Sequence, residues 1–148
     1  MIPREGRIAA IDWGEVRLGL ALSDETQFLA SPLETLERRI GKRFPMKRFI
    51  DLLTARAPVV GIVVGLPLTG EGDEGPSATA ARELAEKVHA ISRLPIEMVD
   101  ERMTTARALR EIHEQGGSTK GRKADVDALA ASVILQHYLD GRRHGTFA

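Results

Sequence analysis

At 148 residues, 43% of them hydrophobic and 28% charged, the chain is sized for a single globular domain over 1–148 that buries roughly two thirds of its unfolded surface. It has no cysteine, which excludes disulfides, thiolate metal ligands and a cysteine nucleophile, and which fits a reducing cytosol. Its 21 Lys and Arg balance 21 Asp and Glu, which excludes a uniformly basic protein that would hold nucleic acid over its whole surface.

The first patterned stretch is IAAIDWGEVRLGLALSD, 8–24. Residues 7–13 read as a strand buried on both faces, Gly14-Glu15 as a turn, and 16–24 as a second strand. On that second strand Val16, Leu18, Leu20 and Leu22 share one side, Gly19 and Ala21 the other. So tight a connection predicts an antiparallel hairpin. A third short strand fits 28–36, broken by Ser31-Pro32. A helix fits 45–56, with Phe49, Leu52 and Leu53 inward and Pro58 as its stop.

VVGIVVG, 59–65, is the clearest buried strand, and even with LPL after it the run is too short to span a bilayer. A glycine-rich acidic loop at 66–75 leads into a helix over 77–91, with Ala81, Leu84, Ala85 and Val88 as its apolar stripe. A strand at 95–100 precedes a helix over 106–115, capped by Thr104 or Thr105 and ended by Gly116-Gly117. A basic loop at 117–123 and a helix over 125–140, with Gly141 at its C-terminal side, complete the chain. The order β-β-β-α-β-α-β-α-α predicts an α/β fold, a mixed five-stranded sheet that begins as an antiparallel meander and carries helices on its faces. The N-terminus meets charge too soon for a signal-peptide core, so a cytoplasmic protein with no membrane partner is expected.

Three acidic features stand out against this frame. Asp12 ends the first strand on the face of Ile8 and Ala10, either as a turn residue accepting backbone hydrogen bonds or as a functional carboxylate. Asp100 and Glu101 end the last strand, either as helix-start acids or an ion pair with Arg102, or as a second functional pair. Asp127 shares a helix face with Ala130, Ala131 and Ile134, an apolar face whose small residues let the helix approach the sheet, while Asp125 suits a cap. Carboxylates gathered in one place repel unless a cation offsets them. Magnesium takes oxygen ligands and few protein carboxylates, and two such ions roughly 3.5–4 Å apart can hold the attacking water and the leaving oxygen of a phosphodiester.

Positive charge is clustered. Arg38, Arg39, Lys42, Arg43, Lys47 and Arg48 fall in one segment, Lys120, Arg122 and Lys123 in a second, and Arg142, Arg143 and His144 in a third. They are either solvated surface or a face for a phosphate backbone. Arg17 reads as a conformational anchor, a phosphate contact or an exposed strand charge. Gly65, Gly72 and Gly75 either let a nucleic-acid strand approach or are ordinary loop residues. The histidines at 89, 113, 137 and 144 lack ligand spacing and read as surface or packing residues.

These motifs resemble the YqgF (RuvX) family, described as Holliday-junction resolvases and as pre-16S rRNA nucleases. The resemblance runs through D-x-G-x-x-R-x-G-x-A-x-S-D from Asp12 to Asp24, V-G-L-P-L at Val64–Leu68, D-E-R-x-T-T at Asp100–Thr105 and D-x-x-A-A-x-x-I-L-Q-x-Y-L at Asp127–Leu139. It implies a ribonuclease H-like fold, and catalytic acids at Asp12, Glu101 and Asp127 that hold a divalent metal, magnesium with manganese as the alternative. Asp100 either orients Arg102 or serves as a further metal ligand. Arg17, Arg38, Arg39, Lys42, Arg43, Lys120, Arg122 and Lys123 are the candidate nucleic-acid contacts. The chain departs from the family pattern at Trp13 and Gly70, differences that bear on substrate fit.

The leading expectation is a metal-dependent endonuclease acting in 5′-end maturation of pre-16S rRNA, with precursor rRNA and pre-ribosomal particles as partners and a monomer or homodimer as the working state. The alternatives are a Holliday junction resolvase acting on branched DNA, a nucleotide-binding module of the sugar-kinase and actin kind, and a non-catalytic RNA-binding module. The acids are blind to the sugar, which is read through its 2′-hydroxyl elsewhere.

Overall fold

In a computed structural model, residues 1–14, 17–37, 44–56, 58–69, 71–104 and 123–145 are described. The elements are β1 (Arg7–Asp12), β2 (Arg17–Ser23), β3 (Ala30–Glu37), α1 (Met46–Ala55), β4 (Val59–Leu66), α2 (Pro76–Ser92), β5 (Ile96–Asp100), a 3-10 turn (Glu101–Met103) and α3 (Lys123–Arg143). The helix expected over 106–115 and the basic loop after it lie outside the described residues, apart from Lys123 at the loop's end.

The strands form one sheet in the order β3-β2-β1-β4-β5. β1, β2 and β3 are the expected antiparallel meander, and β4 and β5 add in parallel through α1 and α2. The hydrophobic pattern dictates two faces. Ala9, Ile11, Leu18, Leu20, Ile62 and Val64 pack with Phe49, Leu52 and Leu53 of α1 and with Ala81, Leu84 and Val88 of α2. On the opposite face Ile8, Ala10, Ala21, Val63 and Val99 pack against Ala130, Ala131, Ile134, Leu135 and Tyr138 of α3. Helices therefore cover both faces, and among the described residues α3 makes the second layer. No helix among the described residues is long and apolar enough to cross a membrane.

Two expectations at element level are corrected. β3 is not broken at Ser31-Pro32. The strand runs through, with a register shift that pairs Leu20 with Glu34 and Ala21 with Pro32, so the proline sits at an irregularity on an edge strand, where its missing N–H is tolerated. The last helix also does not stop before Gly141 but continues to Arg143. The extra turn has work to do: Arg142 donates to the carbonyl of Ile2 at 2.6 Å and to Gln27 Oε1 at 3.1 Å. The guanidinium of Arg143 lies 4.2 Å from the Phe28 ring centre. These contacts offset the roughly 1 kcal/mol that glycine costs inside a helix, and they make the third basic cluster a clasp on the N-terminal segment.

The connection from β2 to β3 is set by Asp24. Its Oδ1 accepts from the backbone N–H groups of Phe28 at 2.8 Å and Leu29 at 3.0 Å, while Oδ2 accepts from the Thr26 hydroxyl. Those bonds, led by the one from Leu29, hold its carboxyl at about 2, below the ordinary 3.8. A depressed pKa means the folded state binds protons less readily than the unfolded chain. The turn's stabilisation is then present above the ordinary value and is lost as pH falls towards 2. Asp24→Ala is expected to lower stability by about 1 kcal/mol at pH 7, the size of a lost backbone cap. In urea titrations the difference from wild type should fall below half its neutral-pH size at pH 2 and go on shrinking below it; a difference unchanged there rejects the carboxylate as its source.

Candidate functional site

Side chains alternate along a strand, so the α3 face of the sheet is assigned by parity. On β1 it carries Ile8, Ala10 and Asp12; on β4 it carries Gly61, Val63 and Gly65. On β5 it carries Val99, and Glu101 continues the same alternation one step beyond the strand. Asp12 and Glu101 thus come to the same end of the two strands that flank β4, with Gly65 of β4 between them. A methyl group built on Gly65 would lie 3.3 Å from Glu101 Oε2 and 3.8 Å from Asp12 Oδ1, so both oxygens border one small space. The same methyl would meet Ile134 Cδ1 of α3 at 2.9 Å, which walls that space on the helix side.

Glu101 is turned inward by its neighbours. Asp100 accepts the backbone N–H of Arg102 at 3.0 Å and opens the 3-10 turn, and the Thr104 hydroxyl donates to the Glu101 carbonyl at 2.9 Å. The Asp100 carboxylate also pairs with the Arg102 guanidinium at 2.9 Å, which raises the arginine's pKa above its usual value, chiefly through that hydrogen bond. By parity Asp100 faces away from Glu101. Its carboxylate makes these contacts with Arg102.

Asp127 reaches the site through a close approach of helix to sheet. A methyl on Gly19 of β2 would overlap the Asp127 carbonyl group and stand 3.0 Å from the Ala128 nitrogen, so α3 rests on bare backbone there. Gly19 is the register partner of Asp12, which puts Asp127 over the strand beside that acid. The Asp127 side chain accepts from Arg17 Nε at 3.0 Å. That ion pair ties the start of β2 to α3.

The three acids are 2%, 0% and 7% exposed for Asp12, Glu101 and Asp127, and Arg17 is paired with the last of them. Carboxylates so buried cannot all stay ionised cheaply without positive charge. Asp12 Oδ1 and Glu101 Oε2 accept no hydrogen bond among the described residues, although both side chains have other interactions. The donor set is all oxygen, and two carboxylates suit magnesium, which takes one or two protein carboxylates. Among the described residues no three His, Cys, Asp or Glu side chains are already grouped tightly enough to hold one metal. Asp12 and Glu101 are the pair that fits an ion; Asp127 stands beside them on its arginine.

Of the expected nucleic-acid contacts, Arg38, Arg39, Lys42, Arg43, Lys120 and Arg122 lie outside the described residues, as does the side chain of Lys123. Arg48 of the first cluster is paired with Glu34 at 2.7 Å. Gly65, read from sequence either as a place for a nucleic-acid strand or as an ordinary loop glycine, lies within β4, next to Ile134 and the two carboxylates. Its role was readable in principle from the parity it shares with Gly61 and Val63 on β4.

Comparison with known proteins converges on one group. The model of the RuvX family, Holliday junction resolvase, matches residues 6–141. A protein of Roseiflexus sp. (strain RS-1) named "Putative pre-16S rRNA nuclease" is 42% identical over 143 residues, covering 97% of this chain and 100% of that one. A protein of Chloroflexus aggregans (strain MD-66 / DSM 9485) with the same name is 39% identical over 140 residues, covering 95% and 97%. RuvC of Thermus thermophilus, in complex with Holliday junction substrate, superposes with a TM-score of 0.51 at 17% identity, over 95% of this chain and 96% of that one. At such identity the likeness is one of fold, and the fold is ribonuclease H-like.

Proposed function

The chain belongs to the RuvX family, and on that premise we propose that it is a metal-dependent nuclease that hydrolyses phosphodiester bonds in structured nucleic acid, serving 5′-end maturation of pre-16S rRNA in the cytoplasm. The observation that carries this reading is that Asp12 and Glu101, from distant parts of the chain, border one small buried space over Gly65, with Asp127 carried over the adjoining β2 by the last helix. Relatives matched over nearly their whole length carry the pre-16S rRNA nuclease name, which favours that substrate over branched DNA.

Asp12 and Glu101 would hold the divalent ion, which when bound lowers the pKa of a water and offsets charge on the departing oxygen. The chain's own residues do the rest. Ile134 and the floor at Gly65 close the helix side of the space to bulk water, which strengthens every charge interaction inside it. Asp127, held by Arg17 where α3 rests on β2, is the residue to orient the attacking water or accept its proton once that ion pair opens. Arg102, exposed next to Glu101 and fixed by Asp100, carries positive charge to the rim where a phosphate backbone would lie.

The test is incubation with precursor 16S rRNA and with a four-way DNA junction, each with and without magnesium. Magnesium-dependent trimming of the RNA, with the junction left uncut, is the expected result. Equal cleavage with and without the ion rejects the metal, and junction cleavage alone rejects the RNA substrate.

A further inference from the structure

The site holds a permanent positive charge of its own. Arg17 is the first residue of β2, and its Nε donates to Asp127 Oδ2 at 3.0 Å, with side chains 27% and 11% exposed, so the pair is partly shielded from solvent. Three carboxylates with one guanidinium leave a charge that a single divalent ion cancels. A second ion would bring an excess of positive charge that only an incoming phosphate could balance. The geometry agrees with this count. Asp12 and Glu101 flank the space above Gly65, whereas Asp127 is drawn to Arg17, and no ready-made group of three ligands stands among the described residues.

We propose that Arg17 is a positioning residue that holds Asp127 off the Asp12–Glu101 pair, so that without nucleic acid the protein loads one divalent ion, and Asp127 becomes available as a ligand only when a phosphate draws the guanidinium away. The inference rests on the nuclease reading for the identity of the ion, and on the observed ion pair for the role of the arginine. Arginine suits the task because it keeps its charge at any working pH and can exchange a carboxylate for a phosphate with the same fork of donors.

The test is manganese binding to the whole protein without nucleic acid, followed by calorimetry and by the resonance signal of the free ion. Wild type is expected to bind one equivalent. Arg17→Gln, which removes the charge but keeps a long polar side chain, is expected to bind manganese about tenfold more tightly or to take up a second equivalent, because a positive charge has left the ion's vicinity and a carboxylate has been released. Arg17→Lys should return binding to the wild-type pattern, an outcome that a merely structural role would not produce. Thermal melts of each variant report whether the fold is kept, and Arg17→Lys carries the comparison should Arg17→Gln melt early. Wild-type binding of one ion with Arg17→Gln unchanged or weaker overturns the arginine's role and leaves the nuclease reading standing. Two equivalents on wild type overturn it likewise, and no binding to wild type at all removes both.

Discussion

Gly19→Ala is expected to destabilise the protein by about 3 kcal/mol or more, the upper range for forcing a methyl into packed backbone. The added carbon would overlap the carbonyl of Asp127 and press on the Ala128 nitrogen, and neither is the far end of a side chain that can swing aside. α3 would have to lift from β2, taking with it the buried contacts of Ala130, Ala131, Ile134 and Leu135. Urea unfolding followed by circular dichroism measures this directly. Gly75→Ala is the control: its methyl would find only Thr69 Cγ2 at 3.8 Å, and its effect should stay within about 1 kcal/mol. A Gly19→Ala variant that unfolds at the wild-type urea concentration would mean that helix and sheet are not in contact there.

Asp12→Asn should reduce cleavage by about 10²–10³-fold while leaving nucleic-acid binding intact, since it removes charge at the reacting centre without changing shape. The same substitution has a second expected signature. Asp12 and Glu101 face one small buried space, so neutralising one relieves repulsion and should raise the melting temperature in the absence of metal. Magnesium, which should stabilise wild type in proportion to the logarithm of its concentration above the dissociation constant, should then do little for the variant. Melting curves with and without magnesium, beside a cleavage assay, separate the two effects. Undiminished cleavage by Asp12→Asn would remove this acid from the chemistry.

Much of this arrangement was legible in the sequence because it rests on parity and small residues. The alternation of Leu18, Leu20 and Leu22 against Gly19 and Ala21 gave the two faces of β2, and Ala130 and Ala131 marked the last helix as one that can approach a sheet closely. What escaped was anything decided by contacts between distant segments. No local pattern says that the last helix will pass Gly141 to let Arg142 reach Ile2 and Gln27, because the reason lies at the other terminus. The choice between Asp100 and Glu101 was open for a related reason: adjacent acids look alike until the strand's parity is carried into the turn. Arg17 could be called an anchor from its place in the hairpin, yet the carboxylate it anchors is 110 residues away.

α3 has one further consequence. Asp127 near its start and Arg142 near its end ride on a single rigid rod, about 22 Å apart along the axis at 1.5 Å per residue. The far tip is bolted to Ile2 and Gln27, and the near tip bears on β2 with no methyl to act as a spacer. A rod pinned at both ends cannot slide, so the depth at which its acid hangs over the sheet is set as much by the bolts as by the bearing. Wear at that remote fastening should therefore be felt as a loss of alignment where bonds are cut.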